Sequence, residues 1–307
     1  MKGVVGIVAV GIAMAGLSGC SSQASETEST AASAAAPSSA AAASAVPSST
    51  ASAAASDAAA QAAPAALIDP SKLTVCAYVA FPPLEFKEAG SDVPTGFDVE
   101  AAQAVAAEWG VNAEIVDIGF DGLLPALDAK RCDVVWSGMF LNDERQQKAD
   151  ASAYLMTGNG LLVAKGNPAG ITSADDLAGK RLAVAAGTMA VDVAEKLSSD
   201  LVAKGLDPIE IQKYPTFPAE VGAVKSGKAD AVLEVDVALA DAVRTAPDAF
   251  ELVPSVFPID GSLAVYSAKD SGVAAAVTEA WQNLIADGTA AALAEKYGIP
   301  VENLTAG

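Results

Sequence analysis

The chain has 307 residues, with 38 Asp and Glu against 18 Lys and Arg and no histidine, for a formal net charge of −20. The missing imidazole excludes Ser-His-Asp and Cys-His catalytic groups, histidine-ligated zinc and imidazole acid–base chemistry. A chain of this sign also lacks the basic surface that neutralises nucleic-acid phosphates, while its length accommodates two domains of roughly 150 residues.

Lys2 precedes an uncharged apolar run, residues 3–17, which is shorter than the ~20 residues of a membrane span. The small residues Ser18 and Gly19 and then Cys20 follow, the order of an export signal with its cleavage site. Leu17-Ser18-Gly19-Cys20 resembles the lipobox of bacterial lipoproteins. That resemblance implies a signal peptide over 1–19, a lipid on the Cys20 sulfur and anchoring at the extracytoplasmic face of the cell membrane. Residues 21–66 contain 22 Ala and 12 Ser, with Val46 the only larger apolar side chain and Pro37, Pro47 and Pro64 interrupting any helix. Such a stretch cannot offset its chain entropy by burial, so residues 20–67 are expected to be a disordered tether.

From Leu67 onward strand and helix patterns alternate. Residues 73–79 form a β-rich run ending in Phe81-Pro82-Pro83, and 99–109 carry Ala102, Val105, Ala106 and Trp109 on one helical stripe closed by Gly110. Residues 114–118 read as a strand, 121–129 as a short helix and 132–137 as a strand. Ser173 and Asp176 have capping-box spacing, 181–186 form a strand, and Gly187-Thr188 turns into a helix over 190–197. Near the end, Val273, Val277, Trp281, Leu284 and Ile285 share one face of a long helix stopped by Gly288. Strands separated by helices predict an α/β fold with mostly parallel sheets. Export places Cys76 and Cys132 in an oxidising compartment, where they are either a disulfide or two buried thiols. Neither they nor any other cluster predicts a metal site, and no cofactor is expected.

An internal repeat aligns 125–136 with 222–233 without gaps and places Phe120 on Phe217. Each copy has a short helix, a basic turn, and Asp133 or Asp230 opening an apolar strand, which predicts two similar lobes. Gly222-x-x-x-x-Gly227-Lys228 matches part of a phosphate loop. However, Ala229 replaces its hydroxyl residue, and the segment precedes a strand instead of following one, so it is discarded. Open α/β sheets bind ligands beyond the carboxyl ends of their strands. There the sequence places Phe81, Phe120, Gly138, Met139, Phe140, Arg145, Thr188, Met189, Glu234 and Asp236. Two aromatic rings, a guanidinium, a hydroxyl and two carboxylates suit a zwitterion whose side chain lies between aromatic faces.

Phe81-Pro-Pro-Leu-Glu-Phe86, Thr95-Gly-Phe-Asp-Val99, Phe120-Asp-Gly-Leu-Leu-Pro-Ala-Leu127, Cys132-Asp-Val-Val-Trp-Ser-Gly-Met139, Asn142-Asp-Glu-Arg145, Asp176-Leu-Ala-Gly-Lys180, Ala186-Gly-Thr188, Lys228-Ala-Asp-Ala-Val232 and Asp287-Gly-Thr289 occur in this order. Together they resemble the family 3 solute-binding proteins of ABC importers for polar amino acids. The resemblance implies a two-lobed periplasmic-binding-protein fold of type II, with lobe 1 from 68–157 plus 261–307 and lobe 2 from 158–260. The lobes would be joined by crossings near 157–162 and 258–262. It also implies a monomer that delivers its ligand to a membrane permease and has no catalytic residues. Arg145, Thr188 and the Met189 backbone would hold the ligand carboxylate, Phe81 and Phe120 would bracket its side chain, and the Gly138 carbonyl would accept from its ammonium.

Three positions depart from the family pattern: Phe140 replaces a Ser or Thr, and Tyr78 and Val235 stand where acids are common. A one-residue shift would make Asp236, in preference to Glu234, the ammonium partner. Alternatives on the same fold are an enzyme resembling cyclohexadienyl dehydratases and a solute-sensing module. The enzyme would need a placed general acid, which the sequence does not single out.

Overall fold

The computed structural model describes residues 62–306; the expected signal peptide, Cys20 and the expected tether up to residue 61 lie outside them. In chain order the first elements are β1 (Lys72–Ala77), β2 (Phe86–Lys87), β3 (Pro94–Thr95), α1 (Phe97–Glu108), β4 (Asn112–Asp117), α2 (Leu123–Asp128), β5 (Val134–Val135), α3 (Asp143–Lys148) and β6 (Ala149–Thr157). Then come β7 (Asn159–Ala164), β8 (Arg181–Ala185), α4 (Met189–Ala203), β9 (Glu210–Tyr214), α5 (Phe217–Lys225), β10 (Ala231–Val235), α6 (Asp236–Thr245) and β11 (Phe250–Val253). The chain ends with β12 (Gly261–Ala268), α7 (Val273–Ala286) and α8 (Thr289–Tyr297). Two five-stranded sheets result, ordered β4-β1-β5-β12-β6 and β11-β7-β10-β8-β9. In each sheet four strands run one way and one is reversed, β12 in the first and β7 in the second. Helices α1, α2, α3 and α7 pack on the first sheet, and α4, α5 and α6 on the second.

The chain crosses between sheets at Gly158, where β6 runs into β7, and returns between β11 and β12. The two crossings touch: Gly261 pairs with Thr157, and a side chain on Gly158 would collide with the Pro258 carbonyl.

The repeat occupies equivalent places, because β5 and β10 are the central strands of their sheets. The Asp133 amide donates to the Thr74 carbonyl and its carboxylate accepts from the Thr74 amide (2.7 Å), holding β1 to β5. Asp230 makes the same two bonds to Arg181 on β8, at 2.8 and 2.9 Å. An aspartate here satisfies the amide at the start of the neighbouring strand and fixes its register.

Lobe 1 is centred on Phe97, Trp136, Tyr154 and Trp281, whose rings lie 5.4–6.3 Å apart and are almost wholly buried. The open question about the cysteines is resolved: Cys76 and Cys132 are bonded, with Cα atoms 5.7 Å apart. Two expectations need correction. Cys132 precedes β5, because ladder pairing there is confined to Val134 and Val135. The tether boundary at residue 67 falls inside packed chain, since Leu67 is buried and the Ile68 amide donates to Asp133 (2.6 Å).

Candidate functional site

Loops beyond the carboxyl ends of both sets of parallel strands meet in one cleft. Lobe 1 contributes Tyr78 and Phe81 from the segment after β1, Phe120 from the turn before α2, Gly138 and Phe140 from the loop after β5, and Arg145 from α3. Asn142 caps α3 by accepting from the Arg145 amide (2.8 Å). The Arg145 guanidinium donates to the Phe140 carbonyl at 2.6 Å, and the Tyr266 hydroxyl donates to the same oxygen. These bonds fix the orientation of the cation on the cleft wall. Gly138 has φ of +53°, and a side chain there would press on the Phe81 ring at 3.0 Å, so glycine is required twice over.

Lobe 2 contributes the start of α4. Thr188 is its N-cap residue, with the hydroxyl donating to the Ala185 carbonyl (2.9 Å), and Met189 and Ala190 form the first turn on the cleft wall. The amides of a first helical turn have no acceptor within the helix and carry its positive partial charge, which suits a carboxylate. Pro215, Thr216 and Phe217 line the cleft from the start of α5, and Glu234 and Val235 from the end of β10.

Aromatic rings enclose the space between. Tyr78 meets Phe120 edge to face at 6.5 Å, and Phe81 meets Phe217 at 5.2 Å. The second contact joins the lobes, as do the Phe217 amide donating to the Tyr78 hydroxyl (3.3 Å) and Asn142 reaching the Met189 sulfur (3.4 Å). Asp121 lies so near Gly187 that a Cβ there would be 2.7 Å from its carboxylate. The lobes are therefore closed on each other.

Of the residues singled out in the sequence, Phe81, Phe120, Gly138, Phe140, Arg145, Thr188, Met189 and Glu234 line this cleft. Asp236 does not, and the preference for it over Glu234 is corrected. β10 continues to Val235, so Asp236 becomes the first residue of α6, where it accepts from the Thr157 hydroxyl. Glu234 is buried, with one carboxyl oxygen accepting from the Val235 amide (2.9 Å) and the other without a hydrogen-bond partner among the described residues. Burial pushes its pKa up to about 7. A carboxyl that keeps its proton near neutrality thus stands in the cleft. Glu220 on α5 is also wholly buried, and neither of its oxygens has a hydrogen-bond partner among the described residues. Burial and then the charge of Glu234 hold it well above the usual carboxylate range.

Sequence reasoning missed Pro215, Thr216 and Glu220, and it did not promote Phe217, although the repeat had aligned that residue with Phe120. Two rings at equivalent positions of two lobes that face each other must approach the same cleft; that signal was available. Glu220 had none, since one acid on an amphipathic helix reads as a solvated residue. Among the described residues no group of His, Cys, Asp or Glu has the arrangement of a metal site, and no helix is long and apolar enough to cross a membrane.

Residues 73–300 match the sequence model of the bacterial extracellular solute-binding proteins, family 3. The L-cystine-binding protein TcyJ of Escherichia coli K12 is 32% identical over 219 residues, covering 71% of this chain and 79% of that protein. Among solved structures, an ancestral arginine-binding protein bound to arginine is similar with a TM-score of 0.67 and 28% identity, covering 74% of this chain and 98% of that one. An ancestral amino-acid-binding protein described as a precursor of cyclohexadienyl dehydratase gives a TM-score of 0.66 at 29% identity, covering 74% and 95%.

Proposed function

The chain belongs to the bacterial extracellular solute-binding proteins, family 3, and from that premise we propose that it captures a polar amino acid or closely related zwitterion and delivers it to an ABC importer. The observation that carries this reading is the convergence in one cleft of the Arg145 guanidinium and the α4 N-terminus, both suited to a carboxylate, with facing aromatic rings and Glu234 as the acid. A micromolar dissociation constant corresponds to about 8 kcal/mol. A charge-assisted guanidinium bond of ~1.5–3 kcal/mol, an ammonium partner and burial of a side chain between rings together reach that range.

In this reading residues 68–157 with 261–307 and residues 158–260 are the two lobes, and a ligand touching both favours the closed form by differential contact. Cys20 would carry the lipid that keeps the protein at the extracytoplasmic face, near its permease. The test is a thermal-shift screen of the proteinogenic amino acids and L-cystine on the parent and on Arg145→Ala. Removing a guanidinium bonded to a desolvated carboxylate costs roughly 2–5 kcal/mol, or about 30-fold or more in Kd. Ligand-induced stabilisation should therefore vanish while the unliganded Tm barely moves; equal shifts in both proteins would sink the assignment.

One observation favours a second reading. A protonated Glu234 in an apolar cleft is the group a dehydratase uses as general acid, and one similar structure is of a protein described as a dehydratase precursor. Release of product from prephenate or arogenate by the purified protein, lost in Glu234→Gln, would decide for it.

A further inference from the structure

We propose that Glu220 and Glu234 form one proton-exchanging cation site, in which the pair holds a proton while the cleft is empty and releases it when a ligand's protonated amino group arrives. The inference rests on reading the cleft as an amino-acid site and adds a residue, Glu220, that lies outside the lining.

The geometry comes first. Glu234 ends β10 on the cleft wall and Glu220 sits on α5, one turn after the lining residue Phe217. Glu220 exposes no surface and Glu234 only 3%. Three of their four carboxyl oxygens lack a hydrogen-bond partner among the described residues. Buried polar atoms are ordinarily satisfied, so three orphans at one wall point to a missing donor.

Among the described residues the surrounding elements supply no counter-ion. Arg181 on β8 is held by Asp230, Lys213 on β9 by Glu195 of α4, Lys196 of α4 by Asp200, and Arg244 on α6 by Asp241. Asp236 at the start of α6 accepts from Thr157 and adds no positive charge. Tyr78, across the cleft, interacts with Glu220, and burial holds its hydroxyl in the neutral form. Arg145 shares the cleft but is anchored on the Phe140 carbonyl in the other lobe.

Two carboxyls in low dielectric without a cation cannot both ionise, so they titrate as a pair that retains a proton. A ligand ammonium reverses this. It donates an N–H bond to the orphan oxygen of Glu234, and its charge favours the doubly ionised pair. The O–H bond of the protonated carboxyl then breaks heterolytically, its electrons stay on the carboxylate, and the proton passes to solvent. The ligand keeps its own proton throughout.

The experiment is calorimetric titration of the full mature chain with L-arginine and with L-cystine at pH 6.5, in phosphate, HEPES and Tris, whose ionisation enthalpies differ. The parent should release between about half and one proton per ligand, and its Kd should tighten up to about tenfold per pH unit between pH 5.5 and 6.5. Glu234→Gln should reduce the release to near zero, whereas Glu220→Gln should lower it only in part, since burial alone raises Glu234, and should retain a measurable Kd because Glu220 does not line the cleft. Binding with a buffer-independent heat in the parent would overturn the proton exchange and leave the amino-acid reading intact. Full proton release in Glu220→Gln would overturn the assignment of the pair. Absence of binding by either amino acid, in calorimetry and thermal shift alike, would overturn the underlying reading and this inference with it.

Discussion

Each lobe buries two carboxyl groups close together, but their surroundings differ. In lobe 1, Glu85 accepts from Ser137 (2.6 Å), and Asp98 accepts from the Gly138 amide (2.8 Å) and the Tyr154 hydroxyl (2.7 Å). In lobe 2, Glu220 and Glu234 together accept one bond, from the Val235 amide. Burial raises all four, and the Tyr154 hydroxyl and Gly138 amide oppose it at Asp98. The first pair ties the cleft loop at Gly138 to α1 and to the aromatic core. The second meets the cleft through Glu234, with its capacity unspent. One is built to hold the fold, and the other at the fold's expense.

The sharpest way to test that division is to remove what lobe 1 has and lobe 2 lacks. Cys76 and Cys132 are 56 residues apart, a closure whose loss in the unfolded chain corresponds to about 4 kcal/mol in the loop-entropy account. The double substitution Cys76→Ala with Cys132→Ala should lower the unfolding free energy read from urea denaturation by that amount. In native-state hydrogen exchange the amides of β1 and β5 should lose protection while those of β8 and β10 keep theirs. Equal loss in both sheets would mean that the lobes unfold as one unit and that the comparison is not one of separable halves.

A smaller effect should separate the carboxyl pairs themselves. Asp98→Ala leaves the Gly138 amide and the Tyr154 hydroxyl without their acceptor, a cost of ~3 kcal/mol. Glu220→Met fills a similar volume with apolar atoms and removes an unsatisfied acid, so it should be neutral or stabilising. Chemical denaturation of the two variants should give changes of opposite sign or nearly so. If both are destabilised alike, Glu220 has a structural partner and the distinction fails.

The contrast also marks how far the sequence could be read. The type and order of the elements read from periodicity held, although β6, β7, β9, β11 and β12 were not singled out, and the paired lobes followed from the repeat, because Asp133 and Asp230 do the same work at the same place in each sheet. Arg145, Thr188, Phe81 and Phe120 were legible because they follow strand ends, where an α/β sheet gathers its loops. What stayed hidden depends on single-residue register and on packing between elements. Whether β10 stops at Leu233 or Val235 decides which acid faces the cleft, and a local pattern cannot fix that limit. The proximity of Glu220 to Glu234 arises from α5 packing on β10, a tertiary contact with no trace in spacing.

The subtlest expected effect, and the one that bears most directly on lobe 2, is in the pH dependence of stability without ligand. Below about pH 4.5, the usual value for a glutamate, Glu234 is protonated in both the folded and the unfolded chain and contributes nothing. Between there and its folded value of about 7, the unfolded chain has released the proton and the folded one retains it, so stability falls as pH rises. Above the folded value the loss is complete and constant. Glu234→Gln removes this dependence, since an amide does not titrate, and any fixed cost of the amide applies equally at every pH. The difference in unfolding free energy between variant and parent should therefore move in the variant's favour from pH 4.5 to pH 8, by on the order of 1–3 kcal/mol. The readout is the slope and not the offset, which separates the titration from any repacking. Parallel curves would mean that Glu234 ionises in the empty fold as readily as in the unfolded chain, which requires a cation or donors beside it and would make the two lobes alike.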